Sequence, residues 1–170
     1  MTHTARIADL TTLFNESMAR LLARLDAAAA EQLTQTPDAG GWSAAQVAWH
    51  VGATNEAFAG LIDGSLPQAK PAPEGFEETP WSAIAKEVPA KLEAPARFHA
   101  PAEVTGAAAL AKLRASQQRL VDALAGLDET RARLTVKSTV GTPISLYQVG
   151  IWAAAHAARH NAQVKRILGA

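Results

Sequence analysis

The chain has 170 residues, enough for one well-buried core and too few for two comfortable domains, so residues 1–170 read as a single domain. Lys plus Arg number 16 and Asp plus Glu 16, which excludes the overall positive field that draws nucleic acid or an anionic membrane. With no cysteine, disulfides, thiolate metal ligands and a protein-borne thiol nucleophile are excluded, and any sulfur chemistry must come from another molecule.

The first nine residues, Met1 to Asp9, carry charge and lack the apolar stretch of a signal peptide, and no apolar run approaches the roughly 18 residues of a membrane span. A cytoplasmic protein with no membrane and no nucleic-acid partner is expected. Alanine dominates the apolar fraction, and little β-branched material is left for strands, so the class is all-α. A first helix is expected over Thr4–Leu33, with Ile7, Leu10, Phe14, Met18, Leu21 and Leu25 on one stripe. His3 falls in a terminus expected to fray. Pro37 and the Gly40-Gly41 pair end this unit.

The second helix opens at Ser43, whose pairing with Gln46 fits a capping box, with Trp42 ahead of it able to pack on Val47. Its inner stripe reads Val47, His50, Val51, Thr54, Phe58, Leu61, so His50 stands where a core residue is expected. From Gly64 to Pro101 come Pro67, Pro71, Pro73, Pro80, Pro89, Pro95 and Pro101, which exclude continuous helix and leave a short turn at Trp81–Val88. An excursion of this length suggests a lid, a pocket wall or a subunit contact. Trp81 then lines a pocket mouth or a dimer contact, or packs within the loop, and His99 is one more loop residue.

A third helix is expected over Thr105–Leu127, then an extended stretch Leu134–Val140, then a fourth helix with Thr142 as N-cap and Pro143 at its first position, running to Leu168. On that last helix Val149, Trp152, His156, His160, Gln163 and Ile167 form one stripe. The i, i+4 spacing of His156 and His160 sets their Cβ atoms about 5–6 Å apart, close enough to chelate one ion. His50 is the candidate third ligand, and three imidazoles leave a position open for water or substrate. Gln163 is either a hydrogen-bond partner of a ligand imidazole or an ordinary polar helix residue. Four amphipathic helices fit a four-helix bundle, in which metal sites are built from facing helices. Zincin, paired E-x-x-H, nucleophile-elbow and phosphate-loop motifs are all missing from the sequence.

The blocks Gly41-Trp42-Ser43-Ala-Ala-Gln46-Val47-Ala-Trp49-His50 and Thr142-Pro143-Ile144-Ser145-Leu146, the latter leading to His156-Ala-Ala-Arg-His160-Asn-Ala-Gln163, resemble the DinB-like superfamily of bacterial four-helix-bundle metalloproteins. That group includes YfiT-like proteins and thiol-dependent transferase and isomerase domains. The resemblance implies a DinB-like bundle with the long Pro-rich excursion between helices 2 and 3. It further implies that His50, His156 and His160 bind a divalent metal ion, zinc or nickel, with solvent completing the coordination, and that the protein is a homodimer.

A three-histidine site keeps the full charge of the ion and favours the thiolate of a coordinated low-molecular-weight thiol. The leading expectation is therefore a metal-dependent thiol S-transferase acting on a small-molecule substrate held by the excursion around Trp81. The alternative is a metal-dependent hydrolase, which lacks an evident general base unless Glu56, Glu74, Glu77 or Glu78 folds over the site. A third reading is a non-catalytic binding protein stapled by the ion.

Overall fold

The computed structural model describes residues 1–89 and 92–169. Seven helices are present among them: α1 His3–Asp26, α2 Ala30–Thr34, α3 Ala44–Asp63, α4 Trp81–Glu87, α5 Gly106–Ala125, α6 Glu129–Ala132 and α7 Leu146–Leu168. Two short strands, β1 Thr135–Lys137 and β2 Pro143–Ser145, pair antiparallel with Val136 opposite Ile144. The four long helices α1, α3, α5 and α7 make the bundle. Its broadest contacts join α3 to α5 and α1 to α7, and α3 also meets α7. The core lies between them, with Phe14, Met18, Leu21, Val47, Val51, Leu113, Leu120, Val149 and Val164 fully enclosed.

The first helix is not continuous to Leu33. It ends at Asp26, the chain is extended at Ala29, and the Gln32 side chain accepts the Ala29 N–H at 3.0 Å to start α2. An alanine run contains no intrinsic breaker, so the cause is tertiary. On an unbroken helix Leu33 would stand about 80° round from Leu25. The break turns Leu33 inward, where it is 5 % exposed and closes on Gly106 at the head of α5; a Cβ there would lie 2.8 Å from its Cδ1. His3 is the first residue of α1 and its Nδ1 shares a 2.7 Å hydrogen bond with the Tyr147 hydroxyl, so this end is tied down and not frayed.

The start of α3 follows the sequence reading. Ser43 accepts from the Gln46 amide at 3.3 Å while Gln46 accepts from the Ser43 amide at 2.9 Å. The start of α7 does not. Its N-cap is Ser145, boxed with Gln148, and Thr142 and Pro143 belong to the hairpin. Proline is tolerated as the first residue of a strand, where Pro143 stands opposite Lys137. The Ser145-x-x-Gln148 pair then supplies both reciprocal bonds, which Thr142 has no partner to make.

Gly64 ends α3 in the left-handed conformation, φ 90°, which favours a residue without Cβ. From there the chain travels beside α7. Ser145 Oγ donates to Glu78, the Gln148 amide donates to the Thr79 carbonyl at 2.6 Å, and Trp81 stands 6.4 Å from Trp152 between ring centroids. Ile84 of α4 is buried, and Arg159 donates to the Pro89 carbonyl at 3.3 Å. A 3-10 turn at Ala96–Phe98 then brings the chain against α3. Among the described residues no helix is long and apolar enough to cross a membrane.

Candidate metal centre

Two helices deliver the three histidines. His50 projects from the middle of α3 and His156 and His160 from successive turns of α7, all three at the contact of those helices. Their Nε2 atoms converge: His50 to His156 is 3.2 Å and His160 to His156 is 3.1 Å. His50 and His160 are buried and His156 is half-buried. Ring centroids lie 4.4 to 5.1 Å apart, with planes tilted by 54 to 69°, so the rings fan around a point and do not stack.

The outer nitrogens decide which atoms face that point. His50 Nδ1–H donates to the Phe98 carbonyl at 3.1 Å, and His160 Nδ1–H donates to Gln163 Oε1 at 2.8 Å. A neutral imidazole that donates from Nδ1 carries its lone pair on Nε2. The inner atoms of His50 and His160 are therefore acceptors aimed at the same small volume, with His156 Nε2 between them. Lone pairs this close repel each other unless a cation or a proton sits among them. Donors about 2.0–2.1 Å from one ion stand about 3.1–3.4 Å from each other at near-tetrahedral angles, which the two close spacings match. The donor set fits a divalent metal ion, and the three histidines could hold one. His156 Nδ1 is enclosed and has no partner among the described residues.

Protonation works against the cluster. Burial lowers the proton affinity of all three imidazoles, and each also feels a positive field: His50 from His99, His156 from its two neighbours, His160 from His50. His160 falls to about 4. The cluster is therefore neutral and ligand-ready at pH 7. In metal-free protein the sign follows directly. The unfolded chain, with histidines near 6.5, binds more protons than the folded one, so stability is complete above about pH 6.5 and is lost as pH falls toward 4. From His160 alone the loss should be on the order of 3 kcal/mol, with His50 and His156 adding in the same direction. Urea melts of chelated protein between pH 4 and 8 check this; a flat profile would contradict it.

Gln163 is placed to fix the His160 tautomer through the 2.8 Å bond to its Nδ1. Gln163→Leu removes that acceptor and should weaken metal affinity about 10–100-fold, as loss of such partners does elsewhere. A chelator competition titration measures it, and an unchanged affinity would make Gln163 an ordinary helix residue.

Around the histidines opens a long cavity. Aromatic groups line one side: Phe58 lies 4.9 Å from Trp152 and 6.1 Å from His156, and Trp81 follows beyond Trp152. Trp42 packs 5.0 Å from His50, and His99 meets the edge of Trp42 at 5.4 Å. The carboxylates expected as possible bases are engaged elsewhere or absent from this wall. Glu56 is held by Lys112 at 2.9 Å, Glu78 bonds Arg6 and Ser145, and Glu74 and Glu77 are exposed and do not line the cavity. Glu93, which no spacing rule singles out, does line it. The Phe98 carbonyl was equally invisible in the sequence, since a backbone acceptor has no residue-type signature.

The comparisons with known proteins agree with this architecture. No curated protein matches the chain. Among solved structures, YfiT from Bacillus subtilis superposes with a TM-score of 0.58 over 96 % of this chain and 87 % of its own, at 17 % identity. It is described as a probable metal-dependent hydrolase with an unusual four-helix bundle topology. At that identity the likeness is one of fold. The DinB superfamily model matches residues 13–164, which include all three histidines and both capped helix starts, and the chain belongs to the DinB superfamily.

Proposed function

We propose that this protein is a metal-dependent enzyme of the thiol S-transferase type, with His50, His156 and His160 as the ligands of one divalent ion, zinc or nickel. The approach of His156 Nε2 to His50 Nε2 at 3.2 Å and to His160 Nε2 at 3.1 Å supports the metal-binding part of this reading. When bound, an ion on three neutral imidazoles keeps its full charge and draws the proton from a thiol or water held beside it.

The chain's own residues do the rest. The Phe98 carbonyl and Gln163 hold two imidazoles in the tautomer that points Nε2 inward. Phe58, Trp152 and Trp81 form an apolar wall that excludes water from one flank of the site. A thiol needs no further base once its proton is acidified, and of the carboxylates named above Glu56 and Glu78 are committed to Lys112, Arg6 and Ser145. That favours an external low-molecular-weight thiol over water as nucleophile. The hydrolase reading is supported by the description of YfiT and by Glu93 in the cavity wall. Metal-loaded protein assayed on activated esters and alkyl halides, with and without a panel of small thiols, separates the two. Turnover that requires a thiol supports transfer; turnover in its absence supports hydrolysis. We also infer a homodimer, and a monomeric mass in light scattering at micromolar concentration would overturn that.

A further inference from the structure

The long cavity has one wall with no core of its own. Between Ile84 and Val104 none of the described residues is buried, so this part of the excursion hangs on a few contacts and belongs to the low-stability end of the molecule. Its 3-10 turn, Ala96–Phe98, is closed by two local bonds: the Phe98 N–H donates to the Pro95 carbonyl at 2.9 Å and the His99 N–H to the Ala96 carbonyl at 3.0 Å. The ties from this turn to α3 gather on one ligand. His50 Nδ1–H donates to the Phe98 carbonyl, the Phe98 ring stands edge-on to the His50 ring at 6.4 Å, and Trp42, packed on His50, meets His99. Phe98 and His99 line the cavity together with His50 and Trp42.

The bond to Phe98 makes the turn sensitive to what His50 does at its other nitrogen. A neutral imidazole has one proton to place. With that proton on Nε2, a lone pair on Nδ1 faces the Phe98 carbonyl and the turn loses its tie. With Nε2 committed to an ion, the proton is fixed on Nδ1, polarised by the charge and in need of an acceptor. His50 is 5 % exposed, so water is a poor substitute, and the acceptor at hand is the Phe98 carbonyl.

We propose that the metal ion and this turn are linked: an ion on His50, His156 and His160 locks residues 94–99 against α3 through the Phe98 carbonyl, and emptying the site lets this wall of the cavity open. The proposal deepens the metal-binding reading above and rests on it. Linkage is reciprocal, so the factor by which the closed turn tightens the ion is also the factor by which the ion suppresses opening of the turn. Hydrogen-bond partners of metal-bound imidazoles are worth about 10–100-fold in affinity, which sets the size of both effects.

The test is amide hydrogen exchange, read residue by residue by NMR on the full chain, first chelated and then loaded with zinc. Zinc binding is measured calorimetrically on the same preparation. The Phe98 and His99 amides should exchange at least about tenfold more slowly with zinc. The control is the Phe76 amide, which donates to the Pro73 carbonyl at 3.1 Å in another proline turn of the same excursion; it should change by less than about twofold. Reciprocally, replacing residues 94–99 with a Gly-Ser segment of equal length should weaken zinc binding about 10–100-fold. Helical circular dichroism should be unchanged, because none of the replaced residues is buried. Zinc that binds while Phe98 and His99 exchange as before, or a slowing shared equally by Phe76, overturns this proposal alone. So does wild-type zinc affinity in the replaced chain. Should that chain lose its helical signal, the exchange of the unaltered chain still decides. A chain that binds no zinc overturns the metal reading, and this proposal with it.

Discussion

Alanine at His156 or at His160 is expected to lower bound metal from near one ion per chain to below about a tenth at micromolar metal, because two imidazoles cannot match three held at one point. The helical circular dichroism should survive. Metal-free stability should stay level or rise slightly, since the substitution removes one of the Nε2 lone pairs that otherwise face each other at 3.1 and 3.2 Å. Metal-loaded stability should fall. An ion present at 100 to 1,000 times its dissociation constant adds about 3–4 kcal/mol to the folded state, and the variants forgo that gain. Thermal melts with and without chelator read all three effects. Unfolding of the chelated wild type would instead make the ion a staple of the fold.

Phe14→Ala should do the opposite: destabilise the bundle by about 3–5 kcal/mol while leaving the histidine cluster its ligands. Phe14 is fully enclosed, together with Met18 and Leu21 of the same stripe, and a close-packed core relaxes only partly into the void left by a phenyl ring. Against a total of about 5–15 kcal/mol for a domain, this is a large share. Urea denaturation measures it. A cost below about 1 kcal/mol would mean that the α1 stripe is not the core that holds the fold.

The two predictions divide the molecule as its sequence divides it. Periodicity on α7 and on α3 was enough to bring His50, His156 and His160 to one face each, because a histidine in the phase of buried valines has nowhere else to point. Ser43 and Gln46 marked a helix start for the same local reason. What stayed hidden is tertiary. Nothing in an alanine run shows that the first helix stops at Asp26 so that Leu33 can reach Gly106. Thr142-Pro143 looks like a helix start, and only the pairing of β2 with β1 passes that role to Ser145. The acceptor for His50 is a backbone carbonyl 48 residues away, from a segment whose prolines said only that it was not helix. The carboxylates Glu56 and Glu78 looked free in the sequence because their partners, Lys112, Arg6 and Ser145, are distant in the chain.

X-ray absorption on protein purified without an affinity histidine tag addresses the centre of this account most directly, with metal content measured on the same sample. One zinc or nickel per chain is expected, with three imidazole nitrogens at about 2.0–2.1 Å and a solvent oxygen completing the shell. A chain that takes up no divalent ion at saturating concentrations, or an ion surrounded by oxygen with no imidazole scattering, would contradict it.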